Sequence, residues 1–336
     1  MKLEYNLPLL SIAIPTWNRA KILKLALNNL LPQILPFKDK IQFIISDNGS
    51  TDETAQVIEE NKRNYSEINF IHFKHLTNTG YYGNFTKCRE LANGKYFWLL
   101  SDNDYVVDGI VREVVNRLIS DHPTFVFLSD WGEYVKEEKF KYIHFHKPMS
   151  INEALVKYNY KLTLTSAVIF LNFKQHDSNY LEEFRGNAFI GYIFFMTSLI
   201  NKGNAIIIYG KGLLTNYADI SFNVFYAFSV ELKKCLKYAV GKKLISKAIE
   251  NSVINNSIKD LTANHYIAYR LNGKIFGEGV TDKDQIESLL KQGFEEYENY
   301  KKVLQPLFRL SKNGLKIIYY KKKIIKKITK RIISNA

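Results

Sequence analysis

Short apolar runs alternate with longer segments of helical apolar spacing over residues 8–130. The first run, Leu9-Leu10-Ser11-Ile12-Ala13-Ile14, closes on Pro15-Thr16-Trp17-Asn18-Arg19. A brief apolar stretch bounded in this way reads as a buried strand. Lys21 to Leu31 then has helical apolar periodicity, with Asn18 as the expected N-cap. A second run, Ile41 to Ile45, leads into Ser46-Asp47-Asn48-Gly49-Ser50-Thr51-Asp52-Glu53. Ser50 and Glu53 have capping-box spacing, which predicts a helix start there. A third strand is expected over Ile68 to Phe73, followed by Asn78, Gly80, Gly83 and Asn84 and a helix to about Ala92. A fourth, Lys95 to Leu100, runs into Ser101-Asp102-Asn103-Asp104. Strands alternating with helices predict an α/β fold with a mainly parallel twisted sheet and flanking helices. Ligands of such sheets bind beyond the carboxyl ends of the strands. The four polar clusters all fall at those ends, so periodicity alone predicts one shared crevice.

The last cluster carries the most chemistry. Asp102 and Asp104 point the same way if the backbone stays extended between them. Two adjacent carboxylates repel, and burying them is costly. A hard divalent cation such as Mg²⁺ or Mn²⁺ relieves that cost, and such ions commonly also bind substrate phosphates. The structural alternative is a polar turn that caps the next helix.

Taken in order, Ile-Pro-Thr-Trp-Asn-Arg, Ser-Asp-Asn-Gly-Ser-Thr-Asp, Asn-Thr-Gly-Tyr-Tyr-Gly-Asn and Gly-Lys-Tyr-Phe-Trp-Leu-Leu-Ser-Asp-Asn-Asp resemble a family 2 glycosyltransferase of the GT-A fold. The similarity is greatest to the bacterial branch that builds surface polysaccharides, and it covers roughly residues 8 to 130. The resemblance implies a Rossmann-like GT-A domain and roles for particular residues. Pro15, Thr16, Asn18 and Arg19 match the loop lying against the donor nucleotide. Asp47 matches the acid that bonds the base, with Asn48, Gly49 and Ser50 completing the turn. Asn78, Gly80 and Asn84 match the loop near the nucleotide and phosphates. Asp102 matches the aspartate facing the ribose and sugar, and Asp104 the direct metal ligand. Each has a structural rival: Asp47 as a turn former, Gly49 as a positive-φ position, Asn78 as a loop cap. The implied reaction is inverting transfer from a nucleotide-sugar, with a UDP-sugar expected, to a glycan or lipid-linked acceptor.

Inversion requires a general base opposite the leaving group. Here the chain departs from the family pattern, whose Glu-Asp or similar pair beyond the metal motif is absent from Glu182 to Tyr192. Glu182, Glu183, Asp130 and Asp177, with His176, remain as weak candidates. Glu182 and Glu183 also read as an ordinary exposed helix face.

The 336 residues are 46% hydrophobic, enough for a substantial core and an appended part. The expected division is a catalytic domain over residues 1–220 and a helical subdomain over residues 221–336. Cys88 and Cys235 lie far apart in predicted helices, offer no disulfide framework, and suggest a reducing compartment. The start of the chain does not read as a signal peptide. The apolar run from Phe189 to Ile200 is too short and interrupted to span a bilayer.

The formal charge of +14 is concentrated in the tail. Lys312 to Arg331 holds nine basic residues and no acid, leaving +5 for the rest. Ile317, Ile318, Ile324, Ile325, Ile328 and Ile332 fall largely on one helical face, with Lys321 intruding. A basic amphipathic helix over residues 312–333 reads as an element that docks on an anionic membrane surface. That predicts a cytoplasmic enzyme peripheral to the inner face of the cytoplasmic membrane. The alternative is a C-terminal helix packed on the enzyme with a solvated lysine face. Nucleic acid is a weaker partner, because no recognised module accompanies the charge.

After Pro123 the rhythm continues without motifs. Thr124 to Leu128, Leu162 to Phe170 and Asn204 to Tyr209 read as strands, and Phe189 to Ile200 as a helix. Ser229 to Tyr238, Lys242 to Ile258 and Asp282 to Leu307 read as helical. Two other functions share these features: a sugar-nucleotide nucleotidyltransferase, which lacks its Gly-rich basic loop here, and a non-catalytic nucleotide-sugar-binding module.

Overall fold

The structure, a computed structural model, describes residues 7–133, 145–173, 178–200, 203–215, 223–273 and 282–321. The chain divides into two compact units. One comprises Met1–Asp219 with Gly241–Ile245, the other Ile220–Val240 with Ser246–Ala336.

The first unit opens with the expected alternation: β1 (Leu10–Thr16), α1 (Ala20–Ile34), β2 (Ile41–Asp47), α2 (Thr54–Asn64), β3 (Asn69–Lys74), α3 (Gly80–Leu91) and β4 (Tyr96–Leu99). It continues through β5 (Asp104–Val106), α4 (Ile110–Ser120), β6 (Phe125–Glu133), β7 (Phe145–Ser150), α5 (Ile151–Tyr158), β8 (Val168–Leu171), α6 (Ser178–Glu183), α7 (Ile190–Ser198) and β9 (Asn204–Thr215). Among the described residues one sheet runs β3-β2-β1-β4-β8-β6-β9-β5, with β7 also paired to β9. β3, β2, β1 and β4 are mutually parallel. Beyond β4 the pairing is mixed: β8 is antiparallel to both β4 and β6, while β6 and β9 are parallel.

β1 and β2 are buried along their whole lengths, which is why their sequences are continuous apolar runs and not alternating ones. Their register sets Thr16 beside Asp47, and Asp47 beside Lys74. The carboxyl ends of three strands therefore share one line. α7 is buried on every side, so the apolar run around it is a core helix. No helix among the described residues is long and apolar enough to cross a membrane.

Arg89 of α3 is buried within this core. Its guanidinium sits 5.3–5.4 Å from the ring centroids of Phe97, Phe170 and Phe194, and its Nη2 donates to the Phe173 carbonyl at 2.9 Å. Burial lowers its pKa to about 10.

Leu162 to Phe170 departs from expectation. Residues Asn159–Thr163 and Thr165–Ala167 form 3₁₀ turns, and the strand occupies only Val168–Leu171. The apolar residues there are buried all the same, and burial without alternation does not distinguish strand from turn.

The second unit is helical among its described residues. α8 (Val224–Tyr226) passes through a π-helical stretch, Ala227–Glu231, into α9 (Leu232–Gly241). α10 (Lys247–Asn256) and α11 (Ala263–Asn272) are joined in the same way through Ser257–Thr262. α12 (Lys283–Phe294) follows, then Tyr300–Leu304 and α13 (Gln305–Phe308). Glu250 is buried and accepts from the Tyr297 hydroxyl and Lys247 Nζ, each at 2.7 Å. Residues 312–321 are helical, with Leu315 buried and Ile317, Tyr319 and Tyr320 exposed. The remainder of the basic tail lies outside the described residues.

Candidate active site

The crevice is assembled by loops that satisfy one another's backbone groups. Asp47 Oδ1 accepts from the Ser50 amide at 2.8 Å and closes a tight turn after β2. Gly49 within that turn has φ 75°, and a Cβ there would lie 2.9 Å from the Thr77 carbonyl carbon. Both the conformation and the close approach require glycine.

Asn48 is the hub of the next junction. Its Nδ2 donates to Asn78 Oδ1 at 2.8 Å and to the Gly80 carbonyl at 3.1 Å. Its Oδ1 accepts from the amide and hydroxyl of Thr79. Asn78 Oδ1 also accepts from the Gly80 amide at 2.8 Å. Asn84, buried on α3, donates to the Thr16 carbonyl at 3.3 Å. The loops after β1, β2 and β3 are thereby locked together.

Two helix starts differ from the sequence reading. Asn18 does not cap α1. It adopts φ 51°, outside the extended range of an N-cap, and its Oδ1 accepts instead from the Thr51 amide at 2.8 Å. The first amide of α1, that of Ala20, donates to Asp52 Oδ2 at 3.1 Å, so the cap comes from another loop. The Ser50–Glu53 capping box does not form either. α2 starts at Thr54 with no side-chain bond from Glu53. Ser50 Oγ is engaged by the Asn18 amide at 2.8 Å.

The extended geometry expected between the two aspartates is also absent. β4 stops at Leu99, and the Asp104 amide donates to the Ser101 carbonyl in a turn. Asp104 then opens β5, with Asp104 opposite Thr215 of β9. Asp102 is held by its neighbours: Thr16 Oγ1 donates to Oδ2 at 2.8 Å, and Arg19 Nη1 to Oδ1 at 2.9 Å. Burial pushes its carboxyl up, against the opposing pull of Arg19 and Thr16. Among the described residues no cation pairs with Asp104 in this way. Burial pushes it up to about 6, the Ser166 hydroxyl pulls the other way, and the Asp102 charge adds to the rise. Ser166, which also accepts from the Ser101 amide at 3.0 Å, was not legible as a site residue. It lies far along the chain with no motif around it.

These carboxylates fit a hard divalent ion. Among the described residues no cluster of three His, Cys, Asp or Glu side chains surrounds one. The protein thus offers Asp104, with Asp102 beside it, and the other ligands would be phosphate or water oxygens, as Mg²⁺-type ions prefer. The buried, raised Asp104 is the observation that favours this: its ionised form is costly until a cation stands against it.

Asp47 has a second feature. Its Oδ2 is buried with no hydrogen-bond partner, and Lys74 Nζ is 3.9 Å away. Pro15 and Thr16 end β1, Gly80 and Asn84 lie in α3, and the rest of the predicted donor set sits on or beside the loops described above.

The candidate bases are dispersed. Glu182 on α6 is exposed and paired with Arg185, and Glu183 beside it is exposed. Asp130 is exposed on β6, at a register shift opposite Lys211. His176 and Asp177 lie outside the described residues. The segment that carries Glu182 is nonetheless tied to α3: the Tyr81 hydroxyl donates to the Gly186 carbonyl and the Tyr82 hydroxyl to the Leu181 carbonyl.

A parallel α/β half-sheet, a crevice at its carboxyl ends and an aspartate pair at the lip fit a nucleotide-sugar-dependent glycosyltransferase of GT-A type. The chain belongs to glycosyl transferase family 2, whose model matches residues 11–178, half of the chain. It is an enzyme that moves a sugar from a nucleotide-sugar donor to an acceptor. This membership selects sugar transfer over the nucleotidyltransferase and non-catalytic alternatives. An uncharacterised glycosyltransferase of Mycoplasma pneumoniae is 26% identical over 211 residues, covering 62% of this chain and 68% of that protein. The abequosyltransferase RfbV of Salmonella typhimurium is 38% identical over 96 residues, covering only 29% of this chain and 28% of that protein. Among solved structures, S. aureus TarS 1-349 in complex with UDP-GlcNAc superposes with a TM-score of 0.55 at 15% identity, over 85% of this chain and 82% of that one. That likeness concerns the fold.

Proposed function

We propose that this enzyme is a metal-assisted, inverting glycosyltransferase that adds a sugar to a glycan carried on a membrane lipid. The observation that carries the reading is the interlocked crevice that holds Asp102 in the turn after β4 and Asp104 at the start of β5. In this reading Asp47 accepts from a base N–H through its orphaned Oδ2, which a ligand donor would satisfy. Thr16 and Arg19 hold Asp102 toward the ribose and sugar. The first turn of α3, whose Gly80 amide is taken by Asn78 Oδ1, would turn its following N–H groups toward the phosphates. Asp104 would hold the divalent ion, which when bound neutralises charge developing on the departing diphosphate. The UDP-GlcNAc complex of TarS, a protein of the same fold, makes UDP the first nucleotide to test.

The acceptor hydroxyl must lose a proton on the side away from the diphosphate. Glu182, Glu183, Asp130 and Asp177 are the side chains to test for that step. The lipid-linked acceptor and the location at the inner face of the cytoplasmic membrane rest on the tail. Its basic residues would each contribute about 1 kcal/mol near an anionic surface.

The test combines a thermal-shift series of nucleoside diphosphates, with and without Mn²⁺, on the wild type and Asp104→Ala. A ligand that binds only the folded state raises its apparent stability. UDP is expected to stabilise the wild type more with Mn²⁺ than without, and Asp104→Ala to lose that increment and the transfer of sugar. Transfer by Asp104→Ala at the wild-type rate in the presence of chelator would refute the metal assignment.

A further inference from the structure

We propose that the cleft between α1 and the β5–α4 junction is a second glycan-binding site, which holds a saccharide of the acceptor chain away from the donor crevice. This rests on the reading of the acceptor as a glycan. The cleft has a volume of about 450 Å³ and is lined by, among others, Asn29, Gln33, Phe37, Tyr105, Asp108 and Arg112.

The walls are fixed before any ligand arrives. Gln33 Nε2 donates to the Val106 carbonyl at 3.0 Å, and its Oε1 accepts from the Gly109 amide at 3.1 Å. One side chain thus pins the junction to the helix. The cleft also holds a buried acceptor without a donor. Asn29 is 8% exposed, and its Oδ1 has no hydrogen-bond partner, while its Nδ2 reaches Asp108 at 3.4 Å. A buried acceptor left open in this way carries a penalty that a ligand donor removes.

The remaining lining selects the class of ligand. Asp108 and Arg112 are both exposed and supply an acceptor and a set of donors, and the half-buried Phe37 and Tyr105 supply ring surface. Sugar hydroxyls donate and accept at once, and the apolar face of a pyranose packs on aromatic rings. A phosphate would be repelled by Asp108 and has no use for Asn29 Oδ1, which only accepts. The position suits an acceptor chain. Tyr105 follows Asp104 on β5, and successive strand residues face opposite sides. A saccharide bound against Tyr105 would therefore lie on the opposite face of β5 from the metal-site aspartate, without competing for its face.

The test is equilibrium binding of the full chain to an array of bacterial surface-polysaccharide oligosaccharides and their component monosaccharides. Arg112→Ala and Asp108→Ala serve as variants because both positions are exposed and tolerate truncation; UDP thermal shift serves as the control. The wild type is expected to retain at least one oligosaccharide more tightly than its monosaccharides. Each variant is expected to weaken that binding about tenfold, the worth of one charge-assisted bond, with the UDP shift unchanged. No retained oligosaccharide, equal retention of monosaccharides, or variants that bind as the wild type does would each overturn the proposal. A missing UDP shift in the wild type would instead count against the donor reading and leave the array result to stand by itself.

Discussion

Gly49→Ala is the substitution that most directly probes how the crevice is held. Gly49 has φ 75°, and an added Cβ would meet the Thr77 carbonyl carbon at 2.9 Å, Thr77 Cα at 3.1 Å and the Asn78 nitrogen at 3.3 Å. All three are backbone atoms, so no rotamer change relieves the contact. A left-handed alanine costs roughly 1–2 kcal/mol, and forcing packed atoms apart costs about 1–3 kcal/mol more. Gly186 is a matched control: it has the same φ of 75°, but nothing lies within 4 Å of its Cβ position. Gly186→Ala should therefore show the conformational cost alone. In urea, where m is about 1–3 kcal/mol/M for small proteins, Gly49→Ala should lower the midpoint by roughly 1 M, and Gly186→Ala by less than half of that. The displacement passes straight to Asn78, which Asn48 holds, so UDP affinity should fall for Gly49→Ala and not for Gly186→Ala. Equal midpoints for the two variants would show that the Thr77–Asn78 backbone yields freely, and the argument for a rigidly braced crevice would fail.

Asp104→Asn should stabilise the metal-free protein at high pH. The folded carboxyl is raised to about 6 from 3.8, so the folded state keeps its proton through that window and wild-type stability falls as pH rises through 6. The gap is worth about 3 kcal/mol at most, and Asp104→Asn should recover roughly 2 kcal/mol in chelator at pH 8 and nothing below pH 3.8; identical thermal midpoints for the two proteins at pH 8 would contradict this. Arg89→Met should hold stability within about 1 kcal/mol, because an unpaired buried cation is itself costly, whereas Arg89→Ala should lose about 3 kcal/mol to the cavity left among three phenylalanines; urea midpoints decide. Among Glu182→Gln, Glu183→Gln, Asp130→Asn and Asp177→Asn, the one that removes the base should lower kcat at unchanged UDP affinity, and four wild-type rates would place the base elsewhere. Removing residues 312–336 should weaken sedimentation with anionic vesicles in a salt-dependent way, and unchanged partitioning would make the tail an ordinary packing element.

The strands of the donor half were legible because both faces of β1, β2 and β4 are buried, which writes continuous apolar runs into the sequence. The positions of Asp47, Asn48 and Asp102 at or just beyond strand ends followed from the same runs, whereas Asp104 opens β5 after a turn that the runs did not indicate. Helix starts were less legible. Asn18 and Ser50 have the chemistry of caps, but each is used by the other loop: the Asn18 amide on Ser50, the Thr51 amide on Asn18 Oδ1. Local spacing cannot register a bond between residues more than thirty positions apart. Ser166 and Asp52 were invisible for the same reason, one serving Asp104 and the other capping α1 from a neighbouring loop. Leu162 to Phe170 misled because its residues are buried without being regular, and hydropathy reports burial only.

Preorganisation ties these observations together. A crevice for a diphosphate must hold acidic and amide groups in fixed places without letting them collapse onto one another. Here the loops do this by consuming one another's donors: Thr16 and Arg19 on Asp102, Ser50 on Asp47, Thr79 on Asn48, and Asn48 on Asn78. Among the described residues, the groups left open include Asp47 Oδ2, which has no hydrogen bond and only Lys74 3.9 Å away, and Asp104, which has no paired cation. Those two groups are the places where a base N–H and a cation-bridged phosphate would gain most, since each relieves a penalty already present in the free enzyme. Donor binding should then require little reordering of the loops. Its free energy would go into orienting the sugar for attack, with less spent on ordering the crevice.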